Sequence, residues 1–432
     1  MGYIVSNQLH RIFLYVLVSI YVVWIGVVIE PDTISYVGFS LITPPGYGTF
    51  LFVFRKLFGV DYYYPIVVFV QLILCFVSCL YVIKTIQKAF HVDKRLLILI
   101  DIILLAPIFV PEYLIVNRIV TQGLAYSSFL MMIAFLIQYL FTNKKRAIWW
   151  LIGSVFIGVL VRTQLMFVIP VLIFVYGYRW FTTKDSKRYV VPIVVILLLP
   201  VMVSLIQKTF NYVVHDRYTN ISSTGLQVMI MPFFVADAED YKVYDDRKTQ
   251  EYYKHMYQVA KERKLLDDFY TPYNDNVFHY FDYNFVKISY GILSVEGRKF
   301  LRPSDPDSFE AFIENDKFLM SMWFPLVLDN FWKCIDLFYK NVEHGFGGFY
   351  MIWLYIILLI ASLYFWKTNK EQLAILAFIF LILTICNILL VCAVQHSISR
   401  YMIYHQWMLP VLLVLLFNEI GKRTTVIHNI KS

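Results

Sequence analysis

Charged residues are scarce in this chain. Only 16% of its 432 residues are Asp, Glu, Lys or Arg, whereas an ordinary soluble domain carries about 25%. Hydrophobic residues make up 59% of the sequence, and aromatic residues make up 18%. This composition excludes a soluble enzyme and predicts a protein that lies largely within a bilayer.

Cysteine is scarce as well. Four of the five cysteines (Cys75, Cys79, Cys386 and Cys392) lie in apolar runs, where a small polarizable side chain packs well. Cys334 lies in a charged segment. This distribution predicts neither a disulfide framework nor a thiolate metal site.

The few charges are unevenly placed along the chain. Residues 208–346 contain 16 Lys/Arg and 21 Asp/Glu, more than half of all charged residues, which predicts a water-facing insert. The remainder is strongly basic, as expected for the flanks of membrane helices, and this argues against a nucleic-acid partner. We therefore expect an N-terminal transmembrane module (1–207), the insert (208–346) and a C-terminal transmembrane module of three helices (347–432).

The insert is expected to be mainly helical, without repeats. The pattern of residues 244–265 predicts an amphipathic helix, and residues 318–340 predict an aromatic-rich helix interrupted at Pro325.

Apolar runs predict the membrane helices, because a bilayer core needs roughly 20 apolar residues per crossing. Such runs cover residues 11–30, 62–84, 96–112, 119–141, 189–207, 347–366, 372–394 and 400–418. A further stretch, Ala147–Gly177, has basic residues at both ends and must therefore cross twice, turning near Arg162. The sequence predicts an all-α polytopic membrane protein of about ten transmembrane helices.

The positive charges also predict the orientation. With ten helices, the cytoplasmic segments hold 17 Lys/Arg and the short outer loops hold 4, so both termini are expected to be cytoplasmic. The run Ile12–Ile29 has no cleavage site and is expected to be a retained anchor. Two long segments, residues 30–61 and 208–346, then face the extracytoplasmic side of the plasma membrane.

The first outer loop contains the most suggestive residues. Glu30 and Asp32 follow the first predicted helix, and Pro31 between them stops that helix. Further on, Pro44-Pro45-Gly46 predicts a turn, and Tyr47–Phe58 predicts an interfacial helix. Its basic residues, Arg55 and Lys56, would face headgroup phosphates. The alternative is that all of these are ordinary charges beside membrane helices.

The order of these residues resembles the C-type (GT-C) membrane glycosyltransferases, in particular the protein O-mannosyltransferase and aminoarabinose transferase branch. The matching positions are Asp32, Tyr36, Pro44, Pro45, Leu57-Phe58-Gly59 and Ser399-Arg400-Tyr401, with Pro410 in the terminal helix. The resemblance covers the whole layout of many helices with an external insert.

The resemblance implies transfer of a sugar from a polyprenyl-phosphate donor to an acceptor hydroxyl on a glycan, lipid or protein outside the cell. A single inverting displacement needs one base, for which Asp32 is the candidate, with Glu30 as the second carboxylate. The leaving lipid phosphate needs cations near the outer boundary, and the candidates are Arg400, Arg162, Arg118, Arg55 and Lys56. Tyr36, Tyr401 and His396 are the candidate substrate-binding residues.

Each cation also has a structural interpretation. Arg162 could pair with Glu112 or reach the outer surface, Arg118 could form a loop ion pair with Glu112, and Arg400 could be a flanking charge. In the predicted third helix, Asp101 is expected to pair with the nearby Lys94 or Arg95.

No metal site is predicted from the scattered histidines, because they lack ligand spacing. Acidic outer-loop residues could still hold a divalent ion against a donor phosphate. Alternative functions are a polymerase of lipid-linked glycan repeats, a transporter or flippase, and a scaffold without chemistry. The absence of a repeat and the gathering of ionisable residues at the outer boundary favour an enzyme over a transporter.

Overall fold

The computed structural model describes residues 2–142, 144–182, 187–221, 223–270, 276–369 and 371–431. Residues 183–186, part of the basic flank used for the orientation, lie outside the described residues. Within the described ranges the chain is helical, without strands, and has one isolated bridge between Val28 and Arg118.

The first eight helices are α1 (Gly2–Ile25), α2 (Pro31–Val37), α3 (Pro45–Phe90), α4 (Lys94–Phe109), α5 (Gln122–Phe141), α6 (Ala147–Val161), α7 (Val168–Thr182) and α8 (Lys187–His215). The next six are α9 (Thr224–Phe234), α10 (Arg247–Glu262), α11 (Val277–Val286), α12 (Gly297–Leu301), α13 (Phe309–Asp329) and α14 (Phe331–Phe346). The last four are α15 (Phe349–Asn369), α16 (Gln372–Val394), α17 (Ser399–Gln406) and α18 (Met408–Lys431). Short 3-10 segments and one π-helical segment connect some of them.

Seven helical stretches in the described part of the chain are long and apolar enough to cross a membrane. They are Pro45–Phe90, Gln122–Phe141, Thr163–Phe181, Tyr189–His215, Phe349–Thr368, Gln372–Val394 and Ser399–Lys422. Three predicted crossings correspond to shorter helices: the apolar part of α1 (Leu9–Ile25), α4 with 16 residues and α6 with 15. The architecture is that of a helical membrane protein, and the count of ten crossings stays a prediction.

The chain divides into two compact units. The first unit comprises residues 1–207, 353–387 and 399–432. The second comprises residues 208–352 and 388–398.

The first unit is built around α5, which packs along both α3 and α6. Its inner face buries Tyr126 and Phe129 completely. At Gly46, in the first turn of α3, an added Cβ would lie 2.5 Å from the carbonyl oxygen of Leu160. Only glycine permits this close approach, which positions the end of α6 beside the start of α3.

A buried ion pair ties α4 to α1. The Asp101 carboxylate is fully buried, accepts a hydrogen bond from Arg11 Nε at 2.5 Å and accepts another from the Tyr15 hydroxyl at 2.8 Å. The predicted pairing of Asp101 with Lys94 or Arg95 is therefore wrong. Asp101 lies on the packed face of its helix, and a partner from another helix is closer than the basic residues on its own.

The second unit has its own apolar core, formed by residues of α9 to α14. The predicted amphipathic helix over 244–265 is confirmed as α10, which directs Tyr252, Tyr253 and Met256 into that core. Asp246 caps its start by accepting a hydrogen bond from the Thr249 amide at 2.8 Å.

The predicted interruption at Pro325 is wrong. Helix α13 continues through this proline to Asp329, and the break falls at Asn330. A proline removes one helical hydrogen bond but leaves those of its neighbours, so a helix held by packing on both sides can continue. At Asn330 the side-chain amide instead donates to Asp240 at 2.6 Å, which holds the chain in a non-helical conformation.

Candidate active site

The segment after α1 is fixed to the loop before α5. The Val28 amide donates to the Asn117 carbonyl at 2.9 Å, and the Ile119 amide donates to the Val28 carbonyl at 3.0 Å. Asn117 Nδ2 donates to the carbonyls of Val22 and Gly26 at 2.8 and 2.7 Å, which satisfies the end of α1. The two loops therefore form one rigid surface.

The short helix α2 fixes the direction of the two carboxylates. Pro31 occupies its first position, and the Thr33 hydroxyl accepts from the Glu30 amide at 3.0 Å. Thr33, which is buried, also donates to the Ile119 carbonyl at 2.9 Å. Asp32 is thus held in the first turn of a helix that is anchored to its neighbouring loop.

Asp32 forms an ion pair with Arg400, a residue 368 positions away. Arg400 Nη1 lies 3.4 Å from Asp32 Oδ2, and Arg400 Nη2 lies 3.3 Å from the Tyr401 hydroxyl. Charge-assisted hydrogen bonds between nitrogen and oxygen are usually about 2.7–2.9 Å long, so this pair is loose. The two side chains are 42% and 32% exposed, which leaves both accessible to a ligand.

Arg162 lies at the end of α6, where the backbone becomes extended. Its Nε donates to Gln164 at 2.9 Å and its Nη1 donates to Thr121 at 2.8 Å. Its guanidinium lies 5.0 Å from the ring of Tyr401 and 6.0 Å from that of Tyr404. In the described part of the chain these partners are neutral, and no carboxylate forms a salt bridge with Arg162. Its positive charge therefore remains available to an anion beside Tyr401.

Tyr36 lies close enough to Asp32, Arg162 and Tyr401 to feel their charges. Its ring packs edge-on against Tyr47, with the centroids 5.2 Å apart, and the Tyr47 hydroxyl donates to Gln71 at 3.1 Å. Burial raises the pKa of Tyr36, and a hydrogen bond with Thr121 and the charge of Arg162 oppose that rise. Tyr36 therefore stays a neutral hydroxyl at physiological pH.

Glu30 and Arg118 form a second pair beside the first. Arg118 Nε lies 3.3 Å from Glu30 Oε1, at an angle that does not make a hydrogen bond. The predicted alternatives that pair Glu112 with Arg118 or Arg162 are both wrong, because the fixed loops place Glu30 and Thr121 closer.

A narrow recess is lined by Glu30, Arg118, Gln122 and Arg400. Asp32 is not part of its lining and reaches it only through its contact with Arg400. Three buried polar atoms of its lining have no hydrogen-bond partner among the described residues: Arg118 Nε, Gln122 Oε1 and Arg400 Nε. Buried polar groups are normally satisfied, so two donors and one acceptor left open around a recess of about 10 Å³ indicate a place for one water or a single polar group of a ligand.

Three of the predicted site residues make other contacts. Arg55 and Lys56 are exposed, with Lys56 placed 5.5 Å from the Phe52 ring. In the described part of the chain no hydrogen bond or ion pair joins either of them to Asp32 or Arg400. His396 belongs to the second unit, where its Nδ1 pairs with Asp282 and its ring stacks on Phe285 at 4.0 Å.

Sequence reasoning missed the neutral polar residues of the site. Gln164 Nε2 donates to Asn387 at 2.8 Å and to the Tyr401 carbonyl at 2.7 Å, which joins the segment after α6 to α16 and α17. The signal was present, because glutamine and asparagine in apolar runs must find a partner or leave a polar group unsatisfied. Gln71, Gln122, Gln164 and Asn387 share this signal, whereas Thr121 does not.

The residues present offer few ligands for the divalent ion that the resemblance allows. Among the described residues no group of three His, Cys, Asp or Glu side chains comes together. Glu30 and Asp32 could supply two carboxylate oxygens, and Mg²⁺ is commonly held by one or two carboxylates together with substrate phosphates. The fit therefore depends on a phosphate-containing substrate.

Comparisons with protein-family models, with curated proteins and with solved structures found no match to this chain.

Proposed function

We propose that this protein is an integral membrane glycosyltransferase with a GT-C fold, which transfers a sugar from a polyprenyl-phosphate donor to a hydroxyl of an envelope glycan or lipid. The observation that carries the proposal is the loose Asp32–Arg400 pair. Among the described residues the Arg400 Nε has no hydrogen-bond partner, and Arg400 lines a recess together with Arg118. A transferase of this kind needs a base and an anion-binding group side by side.

The reaction is a single displacement at the anomeric carbon. The acceptor oxygen attacks that carbon, the Asp32 carboxylate takes the hydroxyl proton, and the bond from the carbon to the phosphate oxygen breaks. The phosphate leaves with the bonding electrons, and the new glycosidic bond has the inverted configuration. One carboxylate suffices, because no covalent enzyme intermediate forms.

The leaving phosphate gains negative charge as the bond breaks, and fixed cations stabilise that charge most in a site with little water. Among the residues that the structure describes, Arg400 and Arg118 each keep a guanidinium nitrogen without a hydrogen bond, and Arg162 has no carboxylate partner. Guanidinium groups suit this role, because their planar donors match phosphate oxygens. Glu30 keeps Arg118 in place until the donor binds.

The proposal includes the orientation expected from the sequence. The chain crosses the plasma membrane ten times, both termini are cytoplasmic, and residues 30–61 face the outside, where a lipid-linked donor and an envelope acceptor meet. Tyr36 and Tyr401 form the walls of the sugar site.

The test compares Asp32→Asn with Asp61→Asn. Both changes remove a carboxylate from the same predicted outer loop, but Asp61 is exposed and, among the described residues, forms no ion pair with Arg400. Loss of a general base should lower sugar transfer from lipid-linked donor in membranes by about a hundredfold or more. The Asp61 variant should retain transfer within about twofold, a change that corresponds to well under 1 kcal/mol. Full activity of Asp32→Asn would remove Asp32 as the base.

The same membranes provide the control for orientation. A reporter fused within residues 240–300 should be active only outside the cytoplasm, and one fused near residue 186 only inside. If the two results are exchanged, the active site faces the cytoplasm and the proposed donor and acceptor cannot be correct. Loss of glycan-lipid movement with intact transfer would instead favour the transporter.

A further inference from the structure

The second unit contains a surface cavity of about 420 Å³, which lies within the range of roughly 300–1,000 Å³ for small-molecule sites. It lies where the end of α10 meets α11 and the π-helical segment Lys287–Glu296. π-Helical segments are rare, and they occur frequently at functional sites. Its lining includes Arg263, Lys264, Tyr280, Tyr283, Asn284 and Lys287.

The cavity is basic, although the segment that contains it is acidic overall, with 16 Lys/Arg against 21 Asp/Glu over residues 208–346. Arg263 is partly neutralised, because its Nη2 lies 3.2 Å from Glu296. Among the described residues no carboxylate forms a salt bridge with Lys264 or Lys287. Two positive charges that no described carboxylate pairs with, in one cavity, attract an anion.

Asn284 gives independent evidence for a ligand. Asn284 is only 2% exposed and lines the cavity, and its amide interacts with the Tyr280 hydroxyl without making a hydrogen bond of normal geometry from Nδ2 among the described residues. Its Oδ1 lies 3.4 Å from Lys287 Nζ. A buried amide donor beside a lysine forms the two halves of a site for an oxygen anion.

Two tyrosines line the cavity, and aromatic rings of this kind can pack against a sugar ring. The Tyr280 hydroxyl donates to the Lys264 carbonyl at 2.5 Å, which fixes that ring. Tyr283 is 72% exposed, and Lys287 Nζ lies 3.6 Å from its ring centroid. The electron-rich face of an aromatic ring attracts the polarised C–H groups of a sugar, while the cation takes the acidic substituent.

We propose that this cavity binds an anionic saccharide, with the acidic group held by Lys287 and Asn284 and the sugar ring placed on Tyr283. A neutral sugar would leave the lysine charges unpaired, and a simple anion would not use the tyrosine. If the protein is a glycosyltransferase, this saccharide is part of its acceptor glycan. That last assignment rests on the proposed function, whereas the binding site does not.

The test measures binding of trigalacturonate to the full chain in nanodiscs of neutral lipid, with fully methyl-esterified trigalacturonate as the uncharged probe. Lys287→Gln should weaken trigalacturonate binding by about tenfold or more, because it removes a charge-assisted contact. Tyr283→Ala should weaken it by several-fold, an effect that loss of charge cannot explain. The methyl-esterified probe should bind at least about tenfold more weakly to the unchanged protein.

Lys254→Gln is the matched control. Lys254 belongs to the same unit and also lies 3.6 Å from a tyrosine ring centroid, that of Tyr241, but it is outside the cavity. This variant should bind trigalacturonate as the unchanged protein does. Equal weakening by both lysine substitutions would show an effect of overall charge and would overturn the site.

Three other results would also overturn the proposal: no binding of trigalacturonate at millimolar concentration, equal binding of the uncharged probe, or full displacement by equimolar inorganic phosphate. Displacement by phosphatidylglycerol in place of the neutral lipid would assign the cavity to a lipid headgroup.

The result of this binding test can be separated from that of the sugar-transfer test. A chain that transfers sugar but does not bind trigalacturonate contradicts this site alone, and a chain that binds it without transferring sugar contradicts only the proposed function.

Discussion

Two arginine–aspartate pairs of the first unit join distant parts of the chain. They differ in the number and length of their hydrogen bonds and in their burial. Arg11 and Asp101 are joined by hydrogen bonds of 2.5 and 3.3 Å, and Tyr15 donates a third to the same carboxylate at 2.8 Å. Arg400 and Asp32 share one contact of 3.4 Å. Asp101 is fully buried, whereas the Asp32 side chain is 42% exposed.

The difference separates a structural pair from a functional one. A buried carboxylate with three hydrogen bonds is closed to a ligand, and removal of one partner of such a pair leaves a charge without compensation. A loose pair with an open guanidinium nitrogen can exchange its partner for a substrate anion with little loss. The proposed function therefore predicts that substitutions in the first pair change stability and that substitutions in the second change activity.

The largest expected effect on stability is that of Asp101→Leu. It leaves the Arg11 guanidinium and the Tyr15 hydroxyl without their common acceptor, and removal of one partner from a buried pair costs about 3–5 kcal/mol. Because Arg11 is 25% exposed, we expect about 2–3 kcal/mol, measured by thermal denaturation in detergent. Sugar transfer per folded molecule should remain unchanged.

The double variant Arg11→Met with Asp101→Leu is the control for this substitution. It removes both charges together, and replacement of a buried ion pair by apolar residues is often neutral or stabilising. Most of the lost stability should therefore return. If the single variant were instead stable and inactive, the division between the two pairs would be incorrect.

A smaller effect is expected from Arg162→Lys. The change keeps the charge but loses the directed bonds to Gln164 and Thr121 and the planar contact with Tyr401. Transfer should fall by about tenfold in kcat/KM for the donor, with thermal stability nearly unchanged. Arg55→Lys makes the same change at an exposed position and should have no effect. Equal activity of both variants would show that Arg162 supplies charge alone.

The sequence predicts the helices well and the partners of buried polar side chains poorly. Apolar runs predict helices because a single property, exclusion from water, determines them locally. The proximity of Asp32 and Arg400 followed from a motif order, although 368 positions separate the two residues. The pairing of Asp101 with Arg11 could not be found in the same way, because it depends on which face of α4 packs against α1.

The break at Asn330 illustrates the same limit. Pro325 carries a strong local signal for a helix end, but the packing of α13 overrides it. Asn330 carries a weak local signal, and its contact with Asp240, 90 positions away, determines where the helix ends. Local rules therefore predict elements, while the partners of isolated polar residues require the tertiary structure.

Asp267 in the second unit extends the comparison between structural and functional polar groups. It has an oxygen without a hydrogen bond among the described residues, and its carboxyl can take up a proton. Its Oδ1 is buried without a hydrogen-bond partner among the described residues, and burial raises the pKa of its carboxyl from 3.8 to about 6. An acid can relieve an unsatisfied oxygen by taking up a proton, whereas the guanidinium of Arg400 or Arg118 cannot lose one. An open nitrogen on arginine thus indicates a ligand more strongly than an open oxygen on aspartate.

This difference predicts a modest pH dependence of stability. A carboxyl whose pKa is higher in the folded protein stabilises the fold below the unfolded value of 3.8, and the contribution is lost as the pH rises to about 6. The unfolding free energy of the second unit should therefore decrease as the pH rises from 3.8 to about 6. Asp267→Asn should remove that slope and stabilise the protein at pH 7 by about 1 kcal/mol, a value reduced for the partial exposure of the carboxyl. Asp268→Asn, at the exposed neighbouring carboxyl, should leave most of the slope in place. A slope that persists in Asp267→Asn would show that other groups titrate there, and the contrast between aspartate and arginine would then lose its support.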